Sequence, residues 1–131
     1  MKFFADDLSC PMPKTNPSQA NPAILAAVAD YFKVLSEGSR LQILTCLKSG
    51  SMNVMEIAEA TGLGQANLSK HLKVLTQAGV LSRQPKGTSA YYEIADPIIF
   101  ELCELACDRI SQRVLQQDES LKAFRNKTTV F

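Results

Sequence analysis

Apolar residues recur at helical spacing in five stretches of the chain, and this pattern predicts five helices. The first begins at Asn21 and Pro22, because a capping residue followed by proline suits the first turn of a helix. The second begins between Glu37 and Ser39 and ends at Gly50. The apolar positions of these two helices are Leu25, Val28, Phe32 and Leu35, then Leu41, Ile43, Leu44 and Leu47.

A third, shorter helix has recognisable signals at both ends. It begins with Asn53 as its cap and with Glu56 three residues later, which is the pattern of a capping box. Its periodicity predicts that Ile57 and Ala60 face the core, and Gly62 is predicted to end the helix.

The fourth helix spans residues 64–79, and its two faces differ in chemistry. One face is apolar and is predicted to be buried; it consists of Leu68, Leu72, Val74 and Leu75. The other face carries amides, a hydroxyl and cations: Gln65, Asn67, Ser69, Lys70 and Lys73. Such groups hydrogen-bond base edges and phosphates in a major groove of DNA. Because a helix and a short glycine-containing turn precede it, we interpret this segment as the recognition helix of a helix-turn-helix.

The apolar period changes from helical to alternating after Gly79. Residues 80–84 and 89–94 read as two short strands, joined by a turn at residues 85–88. A basic hairpin directly after a recognition helix is a wing, and its Arg83 and Lys86 are candidate contacts to the DNA backbone or minor groove. The predicted fold is therefore mainly α with a small β-hairpin, a winged helix-turn-helix in the order α-α-α-α-β-β-α.

A long amphipathic helix is predicted to begin at Asp96 and Pro97 and to run to about Leu121. Its apolar positions are Ile99, Leu102, Cys103, Ala106, Cys107, Ile110 and Val114. Since the preceding helices already cover the body of the domain, this face needs a partner, and the simplest partner is its copy in a second chain. We therefore expect a homodimer through the first and last helices, with two recognition helices about one DNA turn (roughly 34 Å) apart.

Positive charge is concentrated in one part of the chain, although the formal net charge is only +1. No Asp or Glu occurs between Thr61 and Tyr92, whereas acidic residues dominate residues 93–119. The cations of the acid-free segment are Lys70, Lys73, Arg83 and Lys86. This distribution suits a protein that presents one face to a polyanion. Because the sequence lacks a phosphate loop, a paired carboxylate site and a nucleophile with an available histidine, an enzyme is the least favoured class.

At 131 residues the chain is long enough for one small domain, which we assign to residues 21–121. Residues 1–20 are predicted to be a flexible arm, and residues 122–131 a tail. No apolar run is long enough to cross a membrane, and the N-terminus lacks the pattern of a secretory signal, so we expect a cytoplasmic protein. In that compartment its four cysteines are expected to be reduced thiols.

Several of these segments resemble the ArsR/SmtB family of bacterial winged-helix repressors. The resemblance lies in residues 39–44, 68–75, 78–81, 87–92 and 95–97. It implies a homodimer that binds an inverted-repeat operator in double-stranded DNA and leaves the operator when an inducer binds. On the family pattern, Gln65, Ala66, Ser69 and Lys70 occupy positions that contact DNA. Gly64 stands where serine is usual in the family, which weakens the helix cap modestly.

The cysteines are the candidate inducer site. Cys103 and Cys107 are four residues apart, so one helical turn places both thiols on one face, where they could bind a soft ion such as As(III), copper(I) or a zinc-like ion. Cys10, in the predicted arm, could supply a third thiol. The competing interpretation is that Cys103 and Cys107 only pack in the dimer interface.

The resemblance does not identify the inducer. The family's metal site on the third helix needs a Cys-x-Cys, which residues 53–57 lack. Its zinc site on the last helix keeps Asp96 but lacks the other ligands, because Ile98, Arg109 and Gln112 occupy those positions.

Related redox and sulfide sensors place one cysteine in the second helix and one in the last. Cys46 with Cys103 or Cys107 approximates that arrangement, although the positions differ from the usual ones. Two functions therefore stay open. One is a repressor released through its cysteines by a thiophilic ion, reactive sulfur or an oxidant; the other is an effector-independent DNA-binding regulator whose cysteines only pack.

Overall fold

Helices make up most of residues 20–117, the part of the chain that the computed structural model describes. They are α1 (Pro22–Leu35), α2 (Gly38–Cys46), α3 (Val54–Thr61), α4 (Gln65–Gln77) and α5 (Ile98–Gln117), with a 3-10 turn at Leu47–Ser49 after α2. The chain divides into two compact units between Ser36 and Glu37. Helix α1 belongs to the first unit, and every later element belongs to the second.

Some predictions lie outside the described residues. These are the arm at residues 1–20 except for Ala20, the thiol of Cys10, the end of the last helix near Leu121 and the tail at residues 122–131. None of the described helices is both long and apolar enough to span a bilayer.

A three-stranded antiparallel sheet accompanies the helices. Its strands are β1 (Met52–Asn53), β2 (Leu81–Lys86) and β3 (Ser89–Ile94), in the spatial order β1-β3-β2. The predicted hairpin is confirmed, but the third strand is an addition: Met52 pairs with Tyr92, and Asn53 with Tyr91. We name β2, the turn after it and β3 the wing (residues 81–94).

The wing turn is shorter than the sequence analysis predicted. Strand β2 continues through Pro85 and Lys86, which face Ala90 and Ser89 in the ladder. The prediction of a turn over residues 85–88 was therefore wrong for its first half. Proline is accommodated because β2 is an edge strand, where a missing N–H leaves no ladder partner unsatisfied. Gly87 makes the turn itself with a positive φ of 62°, which favours glycine.

The core of the second unit is formed by apolar residues from both the helices and the sheet. Those that are almost fully buried are Ile43, Leu44, Leu47, Ile57, Leu68, Leu72, Leu75, Val80, Leu81 and Ile99. The predicted burial of Leu41 is only partial. The expectation that Ala60 points inward was wrong, because the inward face of α3 is formed by Val54, Ile57, Ala58 and Thr61, at i, i+3, i+4 and i+7.

The predicted helix ends are set by local hydrogen bonds. Asn53 Oδ1 accepts from the Glu56 backbone N–H at 2.8 Å, and Glu56 Oε1 accepts from the Asn53 N–H at 2.9 Å, which confirms the capping box. Gly62 ends α3 in the left-handed conformation at φ 76°. At the start of α4, Gly64 provides no side-chain cap.

The substitution Asn53→Ala at the cap removes one hydrogen bond of the capping box and weakens the other. We expect the free energy of unfolding to fall by about 1 kcal/mol, measured by urea denaturation. The matched control is Glu59→Ala, at an exposed position of the same helix, which should change stability by less than about 0.5 kcal/mol. Equal losses in the two variants would contradict the assigned role of the cap.

Candidate nucleic-acid interface

Helix α4 is fixed to the core by one face and presents the other to solvent. Leu68, Leu72 and Leu75 are 0–1% exposed, as predicted, while Val74 is half-buried. The opposite face is exposed along its length and consists of Gln65, Ala66, Asn67, Ser69, Lys70 and Lys73. All six residues that the sequence assigned to DNA contact on this helix are therefore accessible to solvent.

The first turn of α4 is the part best suited to reading bases. Gln65 and Asn67 lie there, and their side chains are exposed and have no hydrogen-bond partner among residues 20–117. Amides of this kind can form paired hydrogen bonds with adenine in the major groove. In helix-turn-helix proteins, the N-terminal residues of the recognition helix contact the base edges.

The wing carries its two candidate cations on opposite faces of the sheet. Arg83 lies opposite Tyr92 in the ladder, whereas Lys86 lies opposite Ser89. Successive side chains of a strand point to alternate faces, so residues three positions apart point in opposite directions. The Lys86 ammonium lies over the Tyr91 ring, with Nζ 5.1 Å from the ring centroid. Arg83 and Lys86 are therefore two separate candidate contacts.

A groove of about 240 Å³ lies between α4 and the wing. Its lining residues are Ser69, Lys73, Thr76, Gln77, Arg83 and Tyr92. The structure thus brings Lys73 and Arg83 together, although they come from different elements and are ten positions apart in the sequence.

The part of the fold built from the acid-free segment carries cations and no carboxylate. Helix α4, the wing turn and β2 all lie within it, and Glu93 is the first carboxylate after it. The Glu93 side chain accepts a hydrogen bond from Ser82 Oγ at 3.5 Å, on the face of the wing opposite to Arg83. The cations of the groove are therefore not neutralised by Glu93.

His71 connects α4 to α2. Arg40 Nη1 lies 3.3 Å from His71 Nδ1, in a half-buried contact. Because a guanidinium only donates, Nδ1 must accept, and the proton of the neutral imidazole then lies on Nε2. This contact links the recognition helix to the second helix independently of the buried leucines.

The cysteines in the described residues are separate, half-buried thiols. They are Cys46 on α2 and Cys103 and Cys107 on α5. Burial raises the pKa of the Cys46 and Cys103 thiols, so each is less ionised at neutral pH than an exposed cysteine. Cys46 Sγ donates to the Ile43 carbonyl at 3.3 Å. Within residues 20–117, no three or more His, Cys, Asp or Glu side chains are grouped as a metal site.

Sequence reasoning missed three lining residues of the groove, namely Thr76, Gln77 and Tyr92. It also treated Arg83 and Lys86 as one group. Strand alternation alone could have separated Arg83 from Lys86, since three positions is an odd number. Helix α4 and strand β2 face each other because of tertiary packing, and the sequence holds no local signal for such packing.

Comparison with known proteins identifies the family. The family model for bacterial regulatory proteins of the arsR family matches residues 37–83. The transcriptional repressor SdpR of Bacillus subtilis is 37% identical over 70 residues, which cover 53% of this chain and 78% of SdpR. The arsenical resistance operon repressor of the same organism is 35% identical over 87 residues, which cover 64% of this chain and 83% of that protein.

The likeness extends to solved structures. The homodimeric winged helix-turn-helix DNA-binding domain of Mb0332 from Mycobacterium bovis, solved by NMR, is 35% identical with a TM-score of 0.62, and the match covers 72% of this chain and 91% of that domain. Among the relatives found by sequence, the transcriptional regulator Rv0324 of Mycobacterium tuberculosis is 38% identical over 88 residues. The match covers 67% of this chain but only 39% of Rv0324.

The fold, the exposed basic helix and these relatives all indicate a DNA-binding regulator. The predicted winged helix-turn-helix is confirmed, with a third strand added to its hairpin. The individual DNA contacts and the sensing role of the cysteines stay predictions. The chain belongs to the arsR family of bacterial regulatory proteins and is a winged helix-turn-helix, DNA-binding transcriptional repressor, not an enzyme.

Proposed function

We propose that this chain acts as a homodimer that binds an inverted-repeat DNA operator and is released from it by an inducer. The observation that carries the proposal is the exposed, acid-free face of α4, which holds amides at its start and cations further along. Cations supply salt-dependent affinity for the phosphate backbone, and amides in the major groove supply sequence preference. The groups that read bases lie within residues 65–70, and Lys86 contacts the backbone from the outer face of the wing.

The homodimer is supported by apolar side chains that the single chain leaves exposed. In α1, Leu25 is 45% and Phe32 is 53% exposed, and no residue of this helix is buried in the described part of the chain. In α5, Leu105 is 63% and Ile110 is 46% exposed. A second copy would cover such faces through the first and last helices, and the related Mb0332 domain is homodimeric. Two-fold symmetry then explains an inverted-repeat operator.

The inducer that we propose is a thiophilic ion such as As(III), or a reactive sulfur species or oxidant. Cys103 and Cys107 lie one turn apart on α5 and are both half-buried. They are on the helix that we assign to the dimer interface, so a ligand there would change the spacing of the two recognition helices. A relative in the family is an arsenical resistance operon repressor.

An effector-independent regulator is the second candidate, and one observation favours it. Burial raises the pKa of Cys103, which lowers the fraction of thiolate available to bind an ion or attack an oxidant. On this alternative, Cys46, Cys103 and Cys107 only fill space, and DNA affinity does not respond to thiol reagents.

Removing the two amides, Gln65→Ala with Asn67→Ala, should reduce sequence preference rather than overall affinity. We expect the preference for an operator selected from random duplexes over a scrambled duplex to fall by about 1–3 kcal/mol for each base that the variant no longer reads. The salt dependence of binding should not change, since neither side chain is charged. Gln116→Ala, at an exposed position of α5, is the control. Equal losses on both duplexes would refute base reading by these residues.

Replacing both thiols of α5, Cys103→Ser with Cys107→Ser, should abolish release from the operator by arsenite and leave affinity without inducer unchanged. Fluorescence anisotropy of a labelled operator measures both quantities. Cys46→Ser is the companion variant: loss of release by polysulfide in it, with release by arsenite retained, indicates a sulfur bridge to α2. If neither arsenite nor polysulfide releases the unmodified chain, the effector-independent alternative is correct. If the reagents release all variants as they release the unmodified chain, Cys46, Cys103 and Cys107 are not the sensor.

A further inference from the structure

The groove between α4 and the wing has the chemistry of an anion site. We propose that it binds one phosphodiester group of the DNA backbone, with Lys73 of α4 and Arg83 of β2 both contacting that same phosphate. The inference rests on the proposed function, because the ligand is the duplex that α4 reads. It goes further by assigning two cations from different elements to a single phosphate.

The described residues do not compensate the charge of the groove. Among residues 20–117, no carboxylate lines it. Among residues 20–117, neither the Lys73 nor the Arg83 side chain has an ion-pair or hydrogen-bond partner. Glu93, adjacent to Tyr92 in β3, points to the other face of the sheet, where Ser82 donates to it. Two unpaired cations in one concave site attract an anion more strongly than either cation alone.

The polar groups that line the groove are rich in donors. The hydroxyls of Ser69 and Tyr92 and the amide of Gln77 can each donate one or more hydrogen bonds. Thr76 differs, because its hydroxyl already donates to the Leu72 carbonyl at 2.7 Å. A phosphodiester oxygen only accepts, and Arg83 can donate two parallel bonds to such a group. The site therefore matches a phosphate better than a base edge, which presents donors as well as acceptors.

The position of the groove also favours contact with the DNA backbone over contact with base edges. Ser69, Lys73 and Gln77 follow the first turn of α4, where Gln65 and Asn67 lie. When that first turn enters a major groove, the later turns and the wing approach the strand that borders it. Phosphate contacts of this kind fix the register of a recognition helix without reading sequence.

Lys86 provides an internal comparison. It has the same charge and belongs to the same strand as Arg83, but it lies on the opposite face, over Tyr91. The geometry therefore assigns Lys86 and Arg83 to different phosphates, whereas Arg83 and Lys73 share one.

The experiment tests the phosphates of the DNA one at a time for contact with the 131-residue chain. A single neutral methylphosphonate is moved along each strand of an operator selected by this chain from random duplexes, and affinity is measured for the unmodified protein, Lys73→Gln, Arg83→Gln and Lys86→Gln. We expect one position per half-site, distinct from the phosphate that Lys86 contacts, at which the modification weakens DNA binding by the unmodified protein on the order of tenfold. Both Lys73→Gln and Arg83→Gln should lose sensitivity at that same position, and Lys86→Gln should keep it.

The possible outcomes distinguish failure of the shared phosphate site from failure of operator binding. If Lys73→Gln and Arg83→Gln lose sensitivity at different positions, or at none, the shared phosphate site is refuted while operator binding stands. If the unmodified protein shows no preference for any duplex even at low salt, the proposed function itself fails. Arg113→Gln, an equal charge change on α5, is expected to match the unmodified protein at every position. Thermal unfolding of each variant checks that these exposed substitutions leave the fold intact.

Discussion

The burial of three leucines on one side of α4 is the interaction on which the rest of the structure depends. Leu68, Leu72 and Leu75 are almost inaccessible to solvent, and each buried leucine contributes about 1.5–3 kcal/mol through the hydrophobic effect. Because side chains follow one another at about 100° around a helix, fixing this side also fixes which residues face outward. The amides and lysines of α4 are therefore oriented by core packing, and the Arg40–His71 contact adds a polar link to α2.

The wing extends this exposed surface and presents its cations on two opposite faces. Strand pairing places Arg83 toward α4 and Lys86 away from it, so one hairpin of two six-residue strands presents cations in two directions. The short strand β1 pairs with β3 on the side away from β2, so β3 is the central strand and β2, which lines the groove, is one of the two edge strands. Wing geometry, and not charge alone, thus determines which cations act together.

Features that depend on near neighbours could be predicted from the sequence. The capping box of Asn53 and Glu56, the glycine that ends α3 and the buried leucines of α4 are all encoded within a few neighbouring residues, and all are confirmed. The polar face of α4 followed from the same periodicity. Together these features were sufficient to predict the helix-turn-helix and the residues that it exposes.

Features that depend on distant pairing could not be predicted in this way. Strand β1 has two residues, too few for an alternating pattern, and Met52 pairs with Tyr92 much later in the chain. The groove forms only because α4 and β2 lie opposite each other, and no local motif encodes that arrangement. The role of Cys103 and Cys107 is equally invisible in sequence, because cysteines that pack and cysteines that sense share the same helical spacing.

The central claim is that the outward face of α4 enters a groove of duplex DNA. The most direct measurement is a backbone amide NMR titration of the 131-residue chain with its selected operator at low salt. The account predicts that the largest shift changes fall in residues 65–73 and in the wing, with smaller changes in α2 and α3. Changes confined to α1 and α5, or no change at any residue, would contradict it.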